Sequence, residues 1–177
     1  MESDYDKIRE QMMNEKKDKN NLKGFDESSG RQNIQVMLDD VPKYKKNCKS
    51  FCFKKEYSNF ELAKLLENGA DSGRYFAYYK HSDNLIEDGF NADISIVISD
   101  TVSEAHETLA CFVDATTTMV LYPASNKEIF VGDLAVGNQD RLVFVRGNAY
   151  VDVKGYEVSI IDLAQEIDKQ ILSILNE

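Results

Sequence analysis

The chain has 177 residues, enough for one domain with a hydrophobic core, or for such a domain with a tail. Its formal net charge of −10 argues against general nucleic-acid binding, which needs a surplus of Lys and Arg, and weakens attachment to anionic membrane surfaces. A hydrophobic fraction of 42% marks a globular protein, and the lack of a long apolar run leaves no transmembrane span to predict.

Residues 1–32 read as a flexible polar tail or linker. The stretch "MESDYDKIREQMMNEKKDKNNLKGFDESSG" offers too little apolar surface to offset its ordering entropy. It also lacks the apolar core of a signal peptide, so the chain is either cytosolic or follows a leader, absent from this sequence, that could anchor it. A single domain is expected over residues 33–177. "NIQVML" (Asn33 to Leu38) suits a first strand, and Pro42 marks a turn. Five lysines follow between Lys43 and Lys54, the one locally basic stretch of an acidic chain. It reads as a solvated edge, with a docking patch for an acidic partner as the functional alternative. Cys48 and Cys52 can bridge only if the backbone between them is not extended. Cys111 falls in an apolar helical pattern, where a buried inert thiol is the usual reading.

Ser58-Asn59-Phe60-Glu61 fits a capping box and predicts a short helix over residues 59–68, with Leu62, Leu65 and Leu66 as its apolar stripe. "RYFAYYK" (Arg74 to Lys80) is an aromatic strand. Tyr75, Ala77 and Tyr79 share one face and Phe76 and Tyr78 the other; ordinary core or sheet-face packing is the favoured reading, with one row lining a groove or partner surface as the functional alternative. Asn91 to Ser99 is another strand, with Ile94, Ile96 and Ile98 on one side. Thr101 to Glu104 forms a second capping box, opening a helix that runs to about Ala115. Glu128 to Gly137 predicts a strand with Gly132-Asp133 as a bulge.

"RLVFVRGNAYVDVKG" (Arg141 to Gly155) is read as a hairpin turning at Gly147-Asn148 through a type II′ or I′ turn. Arg146 then faces Ala149, Phe144 faces Val151 and Leu142 faces Val153. This makes Arg-Gly-Asn a corner of the fold before it is a site. Ser159 begins a final helix with Ile160, Ala164, Ile167, Ile171 and Ile174/Leu175 as its stripe, and Asp168 among the residues assigned mainly to the other side. The fold class is α+β: a largely antiparallel sheet with helices packed on one face.

The sequence contains no complete Walker loop, G-x-G-x-x-G, G-x-S-x-G or H-E-x-x-H signature. His106 reads as a helix-surface residue, and His81 begins a loop with Asp83 and Glu87 within reach. Asp39-Asp40, Glu87-Asp88, Asp133, Asp140 and Asp152 are treated as solvated carboxylates, any two of which would have to converge to act as an acid/base pair. A Cys48/Cys52/His metal site lacks the second ligand pair that makes such an assignment strong. No catalytic, cofactor-binding or metal-binding residue is therefore assigned. Tyr75, Tyr79, Arg146 and Tyr150 are the candidate interaction surface, because tyrosine buries ring area while keeping its hydroxyl bonded.

Three segments, "NFELAKLLENGADSGRYFAYY", "ISIVISDTVSEAHETLACF" and "VGDLAVG…RLVFVRGNAYVDVKG…DLAQEIDKQIL", span residues 58–175. Together they resemble an uncharacterised group of small secreted or lipoprotein-type bacterial and archaeal domains. The resemblance implies an α+β domain exported to, or lipid-anchored at, the cell envelope, with no catalytic residues to carry over. The expectation is a non-enzymatic binding or interaction domain of the cell envelope, for a protein or small-molecule partner. A small acidic cytosolic inhibitor or immunity-type protein is the alternative, and a hydrolase using dispersed carboxylates a third reading.

Overall fold

A computed structural model describes residues 42–66, 72–83, 89–114, 120–123, 131–138 and 140–177. The polar tail and the strand expected at Asn33 to Leu38 lie outside the described residues. The elements in chain order are β1 (Glu56–Tyr57), β2 (Phe60–Leu66), β3 (Arg74–His81), β4 (Ala92–Ile98), α1 (Val102–Asp114), β5 (Val120–Pro123), β6 (Leu134–Gly137), β7 (Arg141–Arg146), β8 (Ala149–Gly155) and α2 (Ile161–Asn176). Neither helix is long and apolar enough to cross a membrane.

The eight strands of the described residues join one sheet in the order β1-β2-β3-β4-β8-β7-β6-β5, and every pairing among them is antiparallel. The chain makes two four-stranded meanders, each followed by a helix. The second meander folds back so that β8 lies against β4 at the centre. The α+β class with an antiparallel sheet holds. The helices, however, divide between the two faces instead of sharing one.

The reason lies in β7. Leu142 and Phe144 point to one face, where Leu163, Ala164, Ile167, Ile171 and Leu175 of α2 cover them together with Ile94, Ile96, Val151 and Val153. Val143 and Val145 point to the other, where Ala105, Leu109 and Ala110 of α1 cover them with Leu134, Val136 and Tyr150. A central strand apolar on both faces needs a cover on each.

The hairpin register matches expectation at every pair: Leu142↔Val153, Phe144↔Val151 and Arg146↔Ala149, with Val143↔Asp152 and Val145↔Tyr150 between them. Gly147 has φ +56° and Asn148 is not among the positive-φ residues, which selects the II′ over the I′ alternative. Gly132 has φ +70° and precedes β6, so Gly132-Asp133 is a bend before the strand rather than a bulge within it. The cap of α1 forms as read: Glu104 N donates to Thr101 Oγ1 and Thr101 N to Glu104 Oε2, each at 3.2 Å. Ser159 does not cap α2; Ile160 occupies the N-cap without a side-chain hydrogen bond.

The helix expected over residues 59–68 is strand β2. Ser58 (φ +44°) and Asn59 make a tight turn that pairs Tyr57 with Phe60, and the Ser58 hydroxyl donates to Glu166 of α2 instead of capping a helix. The helix propensity of Glu-Leu-Ala-Lys-Leu-Leu is worth only tenths of a kcal/mol per residue, about 0.7 at most. The edge of β3 needs a partner for its backbone groups, and Phe60 packs edge-on against the His81 ring with centroids 4.9 Å apart.

Residues 43–57 form a strap across α2. Phe51, Phe53 and Tyr57 are buried in the core while Cys52, Lys54 and Lys55 point outward. The strap is fastened along its length. Lys46 N donates to Leu175 O, Asn148 bonds both backbone groups of Cys48, Gln170 Nε2 donates to Cys52 O and the Tyr79 hydroxyl to Lys54 O.

Candidate functional site

The four residues chosen as a surface from sequence do not form one. Tyr79 is fully buried between Phe53 and Tyr57, with ring centroids 6.3 and 5.5 Å away. Tyr75 is half-buried on the same row. Opposite residues in an antiparallel pair share a face, and Tyr75, Ala77 and Tyr79 lie opposite Ile96, Ile94 and Ala92. That apolar row carries them inward toward α2. Tyr150 is only 9% exposed beneath α1, on the other face of the sheet.

Arg146 is buried as well, and its surroundings explain the corner. The guanidinium clamps Asp168 through Nε to Oδ1 at 2.7 Å and Nη2 to Oδ2 at 2.6 Å. Nη1 donates to Asp133 Oδ1 and to the Tyr44 hydroxyl oxygen, both at 3.1 Å. Asp133 also accepts from the Tyr44 hydroxyl through Oδ1 and from Gly147 N at 2.7 Å through Oδ2. Burial alone would lower the guanidinium pKa, but hydrogen bonding and charge from Asp168, with Tyr44 and Asp133 adding to them, raise it. Asp133 and Asp168 therefore converge, but on a cation that occupies both. Asp168 lies under the helix, not on the solvent side expected for it. This cluster joins the strap, the entry to β6, the tip of β7 and α2.

Two phenols of the strap, Tyr44 and Tyr57, respond to pH. Burial, followed by the hydrogen bond to Asp133, pushes Tyr44 up from 10 to about 12; burial does the same to Tyr57. The folded state thus keeps these protons to higher pH than the unfolded chain does. Their contribution to stability is complete below pH 10 and is lost as pH rises toward 12. Urea melts across this range should show unfolding free energy falling from about pH 10 upward. A flat profile to pH 12 would contradict the burial of both hydroxyls.

Asp39-Asp40 and Glu87-Asp88, singled out from sequence, lie outside the described residues. Asp152 is held by Arg141 at 3.0 and 2.7 Å, and the Arg141 guanidinium stacks 4.9 Å from the Phe112 ring. His81 Nδ1 accepts from Asp83 N at 3.3 Å. His106 is 7% exposed, buried beneath α1 rather than on the helix surface as expected. Among the described residues no three His, Cys, Asp or Glu side chains gather as a metal site. All three cysteines are free; Cys48 is buried, whereas Cys52 and Cys111 are exposed. The exposure of Cys111 corrects the buried thiol expected there.

No known family, curated protein or solved structure matches the chain.

Among the described residues, the other aromatic row of β3 lies on the sheet face that α1 partly covers. Phe76 and Tyr78 lie opposite Ser95 and Asp93, which in turn lie opposite Asp152 and Lys154. All six are half-buried. Helix α1 packs over β7 and β8, at the far side of this face. Phe90, 37% exposed, stacks on Tyr78 at 4.8 Å, and Tyr156, 43% exposed, donates to Asp93 Oδ2 at 2.6 Å. That hydrogen bond, more than burial, pushes the Tyr156 hydroxyl up to about 12. The result is a fixed aromatic patch with a hydrogen-bonded polar rim. Alternation within "RYFAYYK" identified both rows, but nothing in sequence pointed to Phe90 or Tyr156, which flank β4 and β8 and meet only through the sheet.

Proposed function

We propose that this chain is a binding domain without chemistry of its own, and that the Phe76/Tyr78 face receives its partner. The observation that carries this reading is the aromatic patch itself, with Tyr78 stacked on Phe90 beside the Tyr156–Asp93 and Arg141–Asp152 pairs. Aromatic rings with satisfied polar neighbours suit a protein interface, because they bury much area with little side-chain entropy to lose. Tyr78→Ala should weaken partner capture about tenfold or more, the usual cost of truncating an interface anchor, while leaving the melting temperature near that of the parent. Undiminished capture, or reproducible turnover on a substrate panel, would refute the assignment.

The compartment proposed with this function is the cell envelope, supported by the resemblance of residues 58–175 to exported domains. A second reading, a small acidic cytosolic inhibitor-type protein, is favoured by the thiols. Three unpaired cysteines, two of them exposed, suit a reducing compartment. Thiol labelling of the protein recovered from each cell fraction separates the two. Labelled Cys52 and Cys111 in the cytosolic fraction would support the second reading, and recovery in the envelope fraction the first.

A further inference from the structure

The strap carries a second surface, distinct from the aromatic face. Residues 43–55 hold six of the chain's 21 Lys and Arg residues and none of its 31 Asp and Glu residues. Lys43, Lys45, Lys46, Lys49, Lys54 and Lys55 are all exposed. Among the described residues none of them is in an ion pair; Lys54 lies 5.6 Å from the centre of the Tyr57 ring. Lysines on a loose loop would be an ordinary solvated run. Here the backbone that bears them is fastened at Lys46, Cys48, Cys52 and Lys54, and anchored between by buried Phe51 and Phe53. The ammonium groups therefore project from an ordered track along α2.

We propose that this track docks an acidic, extended polypeptide segment of a partner protein. Charge complementarity selects the occupant. The basic line is narrow and is bordered by acidic residues: Glu56 at its end, Glu166 bonded to Ser58, and Glu177, two residues beyond the Leu175 carbonyl that accepts from Lys46 N. An extended peptide carrying Asp and Glu needs only the width of that line. An anionic bilayer or a nucleic-acid duplex presents a broad negative field, which the bordering carboxylates and the net charge of −10 repel. Such a contact gains most in encounter rate and register, and it is screened by salt.

The test titrates a fluorescently labelled twelve-residue peptide of alternating Asp and Glu with the full chain at low and at physiological salt. Saturable one-to-one binding that weakens with salt is expected. The combined variant Lys43→Gln, Lys45→Gln, Lys46→Gln and Lys49→Gln should lose binding at least tenfold with an unchanged melting temperature. The charge-matched variant Lys64→Gln, Arg74→Gln, Lys80→Gln and Lys169→Gln should bind like the parent. Equal loss in both variants would show a mere net-charge effect and overturn the proposal. So would binding to phosphatidylserine vesicles or duplex DNA in preference to the peptide, or no peptide binding at low salt.

Discussion

Arg146→Ala should destabilise the fold by about 3–5 kcal/mol, because it leaves two buried carboxylates facing each other without their cation. Asp133 and Asp168 are 5% and 4% exposed, so water cannot take over the lost hydrogen bonds without opening the joint. Small domains hold about 5–15 kcal/mol in total, and the variant would spend much of that margin. Urea denaturation is the appropriate measurement. Replacing the ion pair as a unit, with Arg146→Met and Asp168→Leu together, should cost clearly less than Arg146→Ala alone. The reason is that desolvating the pair offsets much of its attraction, although Asp133 keeps only Tyr44 and Gly147 as donors. If the single variant melted like the parent, the joint would be an exposed contact and not the fold's corner.

Gly147→Val ranks next, at about 2–5 kcal/mol. The residue sits at φ +56°, where a β-branched side chain is strained. A Cβ there would also lie 2.9 Å from Leu175 Cδ1 and 3.3 Å from the Tyr44 ring. Leucine can give way by a few tenths of an ångström, but Tyr44 is tied to Asp133 and Arg146 and cannot yield without loosening them. Gly147 N also donates to Asp133, so a shifted turn disturbs the same joint. Thermal melts of Gly147→Ala and Gly147→Val should fall in that order below the parent. Equal melting of all three would refute the II′ turn.

The hairpin was legible because two signals agreed. Strict alternation placed Leu142, Phe144, Val151 and Val153 on one side, and Gly-Asn supplied the turn that fixes their register. The cap at Thr101 was legible for a similar reason, since its partners are three residues apart. The helix expected over residues 59–68 fails for the opposite reason: the deciding partners are remote in sequence. Ser58 and Glu61 look like a cap until Glu166 takes the Ser58 hydroxyl and β3 takes the backbone.

Asp168 stands four residues from Ala164 and seven from Leu175, both on the buried stripe, so helical spacing puts it inside although a carboxylate suggests solvent. Its spacing was the signal, and its partner Arg146 lay 22 residues upstream. The split of the helices was also half-written in "RLVFVR", whose Val143 and Val145 make β7 apolar on both faces. Periodicity shows that a helix has an apolar face, but not which side of a sheet it will cover. For the candidate site, alternation separated the two tyrosine rows but gave no means of choosing between them. Pairing with Ile94 and Ile96 of β4 makes that choice.

The most direct test of the aromatic face is photo-crosslinking in cells, with a benzoylphenylalanine placed at position 78 and, in a separate variant, at exposed Lys169 on the far side of the sheet. A discrete protein adduct at position 78 and none at Lys169 is the predicted result. Adducts at Lys169 alone, or equally at both positions, would contradict the assignment of the Phe76/Tyr78 face as the working surface.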